Sequence, residues 1–222
     1  MKYLVVIIAT LSLGMLFACD DMYSVHQQYL DEGEQTYLGK PVVQMVQGGK
    51  ERVQVVWKLN ADPKIKTCCI YWNDRSDSLV VPPNYTDTVM RQIIPLEEGS
   101  YVFELMTKGD NGLTSLTSVT SGKSYGTNYQ MGLYNVLLTN QSKTDDGLLM
   151  TWSIENGCVF SELEYVNNSG EKKKTRFAGD ETNLVLDDYM PGGDFILQSY
   201  YLPEEFSIDT IPAISQTLKF IE

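Results

Sequence analysis

The sequence holds a single histidine, His26, in 222 residues. That scarcity removes the Ser/His/Asp and Cys/His arrangements on which much nucleophilic catalysis rests, and with them any histidine-based metal cluster. Positive charge is also in short supply: 17 Lys and Arg stand against 29 Asp and Glu, a formal net charge of −12. A surface this acidic repels nucleic acid and anionic headgroups, so nucleic-acid binding is excluded as a function class. Cysteine is sparse, at Cys19, Cys68, Cys69 and Cys158. Cys68 and Cys69 are adjacent, so on a strand they face opposite ways and do not bond each other comfortably. The cysteines read as small buried hydrophobes, not a disulfide framework. No glycine-rich phosphate loop occurs, and no apolar run reaches the roughly 18–20 residues that cross a bilayer. The acidic clusters Asp145-Asp146-Gly147, Asp180-Glu181 and Asp187-Asp188 lack calcium-loop spacing and read as turns, as does Lys108-Gly109-Asp110. Glu162 and Glu164 alternate with Leu163 and Tyr165, as a solvated strand face does. These absences lead us to expect a non-enzymatic protein with no cofactor and no metal.

What is present begins at the N-terminus. Lys2 supplies a positive n-region, Leu4 to Phe17 a short apolar h-region, and Leu16-Phe17-Ala18-Cys19 the cleavage region. The segment resembles a bacterial lipobox, in which the cysteine thiol receives diacylglycerol and becomes the new N-terminus. Residues 1–18 are therefore expected to be a lipoprotein signal peptide and Cys19 the lipidation site. Acylation by two or three chains anchors stably, since each buried methylene contributes about 0.8 kcal/mol. Acidic Asp20 and Asp21 directly after the lipid resemble a surface-export signal, and the expected location is the outer membrane, exposed at the surface. Within residues 19–37, Met22, Val25, His26, Tyr29 and Leu30 recur at helical spacing and predict a short helix, with a flexible tether as the alternative.

The remaining chain repeats one pattern. Val53, Val55, Trp57 and Leu59 alternate with Gln54, Val56 and Lys58; Leu148, Met150, Trp152 and Ile154 alternate with Leu149, Thr151 and Ser153. Each tryptophan is followed by a Gly-containing turn and an aromatic strand, Gly99-Ser100-Tyr101 in one copy and Gly192-Gly193-Asp194-Phe195 in the other. The separation from Trp57 to Tyr101 differs by one residue from that between Trp152 and Phe195. This order resembles the fibronectin type III sandwich, with Tyr101 at the tyrosine-corner position and Phe195 departing from it for want of a hydroxyl. Turn signals recur at Asn73-Asp74, Pro82-Pro83-Asn84, Gly109-Asp110-Asn111-Gly112 and Asn167-Asn168-Ser169-Gly170. The fold class is all-β: two tandem fibronectin type III or immunoglobulin-like sandwiches, over residues 38–120 and 128–222, joined by a linker at 121–127.

Several segments carry a family likeness: Asp20-Asp21-Met22, Tyr37-Leu38-Gly39-Lys40-Pro41, Leu59-Asn60-Ala61-Asp62-Pro63-Lys64, Ile70-Tyr71-Trp72-Asn73 and Leu96-Glu97-Glu98-Gly99-Ser100-Tyr101. Tyr201-Leu202-Pro203-Glu204 and Ser207-Ile208-Asp209-Thr210 join them. Together they resemble an uncharacterised family of Bacteroidetes lipoproteins often encoded near starch-utilisation-type glycan import systems. The resemblance implies location and company but brings no catalytic residues.

Fourteen tyrosines and three tryptophans exceed what two small cores need. Aligning Cys69 with Leu163 and Tyr71 with Tyr165 turns Trp72 away from the core, and Tyr200 should face opposite to Phe195 and Leu197. Trp72 and Tyr200 are the candidate ligand-stacking residues, each able to lie on the apolar face of a sugar ring; packing of Trp72 against another part of the chain is the alternative. Asp77-Ser78-Leu79, Asp87-Thr88-Val89 and Asp209-Thr210-Ile211 resemble a Bacteroidetes O-glycosylation tripeptide, which makes Ser78, Thr88 and Thr210 candidate modification sites. The functional expectation is an accessory glycan-binding or scaffold component of a polysaccharide-acquisition system, whose partners are the membrane, through the lipid, and a polysaccharide or import complex. A structural spacer or adhesin without a small-molecule ligand is the alternative.

Overall fold

Val53, Val55 and Trp57 are fully buried, and so are Leu148 and Met150, with Trp152 only 2% exposed. The two alternating runs are therefore the central strands of two cores. The computed structural model describes residues 37–87 and 89–222. The signal peptide, Cys19, the expected helix over residues 22–30 and Thr88 lie outside the described residues.

The first half forms β1 (Val42–Gly49), β2 (Arg52–Lys58), β3 (Thr67–Trp72), β4 (Asp77–Val81), β5 (Val89–Pro95), β6 (Gly99–Lys108) and β7 (Ser118–Ser124). A three-stranded sheet in the order β1-β2-β5 faces a four-stranded sheet in the order β4-β3-β6-β7. After a short helix α1 (Thr127–Met131), the second half forms β8 (Leu138–Thr144), β9 (Gly147–Trp152), β10 (Cys158–Val166), β11 (Lys172–Ala178), β12 (Asn183–Leu186), β13 (Asp194–Tyr201), β14 (Ile211–Pro212) and β15 (Gln216–Lys219). Its sheets run β12-β9-β8 and β11-β10-β13, with β14 and β15 both on the far edge of β13. Read in chain order the two connectivities coincide, with the seventh strand of the second copy broken in two. The architecture is a tandem of fibronectin type III-like sandwiches.

Each sandwich closes on its own aromatic core. In the first, Trp57, Ile70, Phe103 and Leu105 meet between the sheets. In the second, Trp152 stacks on Phe177 with ring centroids 5.2 Å apart, and Phe195 stacks on Phe220 at 4.6 Å. Among the described residues, the indole N–H of Trp57 and that of Trp152 are buried without a hydrogen-bond partner. That costs about 1–3 kcal/mol each, a debt that burial of so large a ring outweighs. Tyr101 forms the expected corner, its hydroxyl donating to the Glu97 carbonyl at 3.0 Å.

Three expectations are corrected. Trp72 does not turn away from the core: Cys68, Ile70 and Trp72 share the inner face of β3, while Tyr71 lies on the outer face beneath Lys108 and Arg75. The alignment of Cys69 with Leu163 is out of phase: it is Ile70, paired with fully buried Leu105, that faces the core between the sheets, as Leu163 paired with Leu197 does. Ser121–Ser124, expected in the linker, are the end of β7, paired to β6 as far as Gly99↔Ser124. Ile154, expected to continue the buried face of its strand, is 60% exposed because β9 ends at Trp152.

Candidate functional site

A network of hydrogen bonds and an ion pair joins the sandwiches where they meet. Residues 202–210, which connect β13 to β14, leave the second sandwich and lie along the β1–β2 hairpin of the first. Ile208 N–H donates to the Gly48 carbonyl at 2.8 Å, and the Gln47 amide donates to the Phe206 carbonyl at 2.9 Å. Asp209 receives three donors: Arg52 Nε at 2.8 Å, Arg52 Nη2 at 2.5 Å and the Lys50 N–H at 2.9 Å. The forked guanidinium matches the carboxylate in both position and charge. Its hydrogen bond, with the Lys50 N–H adding to it, holds the Asp209 carboxyl below the usual aspartate range against the opposing effect of burial.

Glycine makes the approach close. A Cβ on Gly49 would come within 2.6 Å of Ile208 Cγ1, whereas one on Gly48 would meet the first sandwich's own Lys123 carbonyl at 2.6 Å. Beside them, buried Tyr125 donates its hydroxyl to Glu204 at 2.5 Å and meets Tyr129 edge-on at 4.8 Å. Burial first, and the Glu204 carboxylate second, push the Tyr125 phenol upward. Glu98 accepts from the N–H groups of Asn128 and Tyr129 at 2.7 and 2.8 Å, tying the first turn of α1 to the first sandwich. Gln130, on the same turn, donates to the Pro212 carbonyl at 3.0 Å in the second. The link between the sandwiches is thus bonded on both sides.

A second cluster lies on the outer face of β10, β11 and β13. Tyr200 stacks on Phe160 with centroids 4.5 Å apart, and the Arg176 guanidinium sits 4.0 Å from the Phe160 ring centre. Glu162, expected on a solvated face, is only 8% exposed. It accepts from Lys174 at 2.7 Å, Arg176 at 2.7 Å and Tyr200 at 3.1 Å. Burial works to raise the Glu162 pKa, and these three donors outweigh it and hold the group ionised. Tyr200 does face opposite to Phe195 and Leu197, but its ring and hydroxyl are both engaged within the protein.

The other sequence-derived sites lie apart. Trp72 and Ser78 share the β3–β4 hairpin on opposite faces, since Ser78 pairs with Tyr71 and Trp72 with Asp77. Ser78 is exposed on an edge strand, whereas Thr210 is half-buried between the ion-paired Asp209 and fully buried Ile211. Cys68, Cys69 and Cys158 are free thiols, and burial pushes the Cys68 thiol up to about 12, an inert state. Among the described residues, no group of three His, Cys, Asp or Glu side chains is placed to hold a metal ion, and no helix is long and apolar enough to cross a membrane. Sequence reasoning missed Arg52, Glu98, Tyr125 and Asp209; Gly49 beside the hairpin turn was the one local signal of a close approach.

A family described as a domain of unknown function, DUF4998, matches residues 19–211. The chain belongs to the DUF4998 family. The matched span of this DUF4998 protein takes in the first sandwich, α1 and the connection that carries Asp209. No curated protein matches the chain. Among solved structures, the chicken CNTN1 FN1–FN3 domains share 10% identity, covering 84% of this chain and 66% of that one, with a TM-score of 0.39. A two fibronectin type III domain segment of chicken tenascin shares 13% identity, covering 82% of this chain and 98% of that one, with a TM-score of 0.32.

Proposed function

We propose that this DUF4998 protein is a non-enzymatic, lipid-anchored scaffold: two sandwiches locked together to hold another component of a polysaccharide-acquisition system at the outer membrane surface. The observation that carries the reading is the forked Arg52–Asp209 pair, which ties the 202–210 connection to β2 of the first sandwich. A chain that needed only reach would leave its modules free on a flexible linker; this one spends charged and backbone hydrogen bonds on fixing their relation. The lipobox-like segment ending at Cys19 supports the anchor, because an acidic protein gains nothing from anionic headgroups. The engaged carboxylates Glu98, Glu162 and Asp209 support a structural role: each is committed to cations or backbone donors and none is left as a poised acid or base.

The test has two readings. Small-angle scattering of the full chain in detergent is expected to fit one conformation of the sandwich pair, with Arg52→Ala broadening it; a broad ensemble in the unmodified protein overturns the scaffold. Affinity purification from native membranes, without added glycan, is expected to recover a stoichiometric partner. A spacer or adhesin shares the fixed geometry and yields none.

A further inference from the structure

At the end of the first sandwich, the β2–β3 connection and the β4–β5 connection enclose a pocket of about 200 Å3 lined by Leu59, Asn60, Ala61, Pro63, Asn84 and Tyr85. We infer that this pocket binds a single neutral sugar ring, as a free monosaccharide unit or the terminal unit of a glycan.

The argument starts from Tyr85. Its hydroxyl donates to the Ile65 carbonyl, yet the residue is 57% exposed. With the hydroxyl spent, what it offers the pocket is ring carbon, held in place at its far end. Leu59, Ala61 and Pro63 extend that apolar wall. The β2–β3 side is itself fixed: Asp62 accepts from Gly39 N–H at 3.3 Å and Lys64 N–H at 3.0 Å, and Ile65 N–H closes onto the Asp62 carbonyl at 3.1 Å.

Two neutral amides complete the lining. Asn84 Oδ1 accepts from Thr86 N–H at 3.0 Å, and its Nδ2 has no hydrogen bond among the described residues. Asn60 is pressed against Gly39, where an added Cβ would come within 2.9 Å of Asn60 Nδ2 and 3.0 Å of its Cβ, and its carboxamide has no hydrogen bond among the described residues. The pocket therefore pairs a pinned aromatic and aliphatic wall with unspent amide donors and acceptors, and no ionisable side chain lines it apart from the bonded phenol. A pyranose has the same division, an apolar C–H face and a rim of neutral hydroxyls. A charged ligand finds no counter-charge here. An aliphatic side chain from a partner would cover the wall but strand the two amides. The volume lies below the roughly 300–1,000 Å3 of drug-sized sites, which limits the occupant to one ring.

This inference goes beyond the scaffold reading and does not depend on it, since a locked sandwich pair without the pocket is still a scaffold. The test is saturation-transfer difference NMR of the full chain in detergent with the methyl glycosides of glucose, galactose, mannose, xylose and N-acetylglucosamine, in both anomers. At least one is expected to show transfer concentrated on the C–H protons of one ring face. Tyr85→Ala should weaken that binding at least tenfold, and Asn60→Ala several-fold, with each variant still folded by far-UV circular dichroism; Tyr85→Phe, which loses the Ile65 bond but keeps the ring, should retain most of the binding. Silence across the whole panel overturns the inference, as does transfer that survives Tyr85→Ala. Tighter binding of cyclohexanol than of every glycoside also overturns it, in favour of an apolar partner. None of these outcomes alters the scattering result that tests the scaffold.

Discussion

The two sandwiches share a connectivity and diverge at their seventh strand. In the first, β6 turns through Asp110–Gly112 and returns along itself as one uninterrupted β7, so the connection stays within its own module. In the second, β13 gives way to residues 202–210, which leave for the neighbouring hairpin before β14 and β15 resume the edge in two pieces. The corner differs too: Tyr101 locks to the Glu97 carbonyl, whereas Phe195 relies on its stack with Phe220, and the nearby polar lock passes to Tyr165, whose hydroxyl donates to Asp188 at 2.7 Å. The comparison teaches that a duplicated fold keeps its core and specialises an edge. One copy closes on itself, and the other lends its last connection to holding the pair.

The comparison predicts where the pair should fail first. Trp57→Ala and Trp152→Ala remove equivalent rings and should each cost about 3–5 kcal/mol, comparable to the whole stability of a small domain. Calorimetry of both variants is the check. If the clamp couples the modules, either change lowers a single shared transition; two separate transitions with only one displaced would break the coupling.

Cutting the clamp comes next. Asp209→Ala strands a half-exposed guanidinium and removes three hydrogen bonds, an expected loss of about 1–3 kcal/mol with the transition split in two. Acid should do the same reversibly. Because the Asp209 pKa is depressed in the folded protein, its contribution is complete above the unfolded value of about 3.9 and fades as pH falls through the lower folded value. A scattering profile that stays in one conformation down to that range would argue that backbone bonds alone hold the pair.

Smaller effects sharpen the contrast at the corner. Tyr101→Phe should cost about 1 kcal/mol by denaturant titration, while Phe195→Tyr gains nothing, since a buried hydroxyl there enters an aromatic stack. Least of all, Ser78→Ala should shift stability by no more than about 0.5 kcal/mol. Intact-mass analysis of native-host protein should at the same time show the glycan mass gone, and an unmodified parent mass would remove Ser78 as a modification site.

How far the sequence revealed this arrangement depended on contrast between neighbouring residues. Val53 to Lys58 and Leu148 to Trp152 alternate sharply enough that the buried face, the tryptophans and the duplicated core were legible. In Cys68-Cys69-Ile70-Tyr71-Trp72 every residue is apolar or aromatic, so a period of two has no phase, and the face of Trp72 was assigned to the wrong side. Glu162 looked solvated because its neutralising partners, Lys174 and Arg176, arrive from the adjacent strand. Arg52 and Asp209 stand 157 residues apart, and no local pattern announces a pair at that distance. The pocket around Tyr85 draws on two loops whose meeting is a product of the sandwich. In the sequence Leu59 stood out as a strand residue, Leu59 to Lys64 as a family likeness and Asn84 as a turn former, and nothing singled out Tyr85.

That same separation sets an order of events during folding. The first sandwich has all of its strand pairings within residues 42–124 and folds on them first, as N-terminal domains do. Its β1–β2 hairpin then waits with Gly48 and Gly49 bare until the 202–210 connection reaches it. Only when β13 is in place can Ile208 and Asp209 reach them. Docking of the pair is therefore the closing step of folding, and a chain truncated before Asp209 is a first sandwich folded but unlatched.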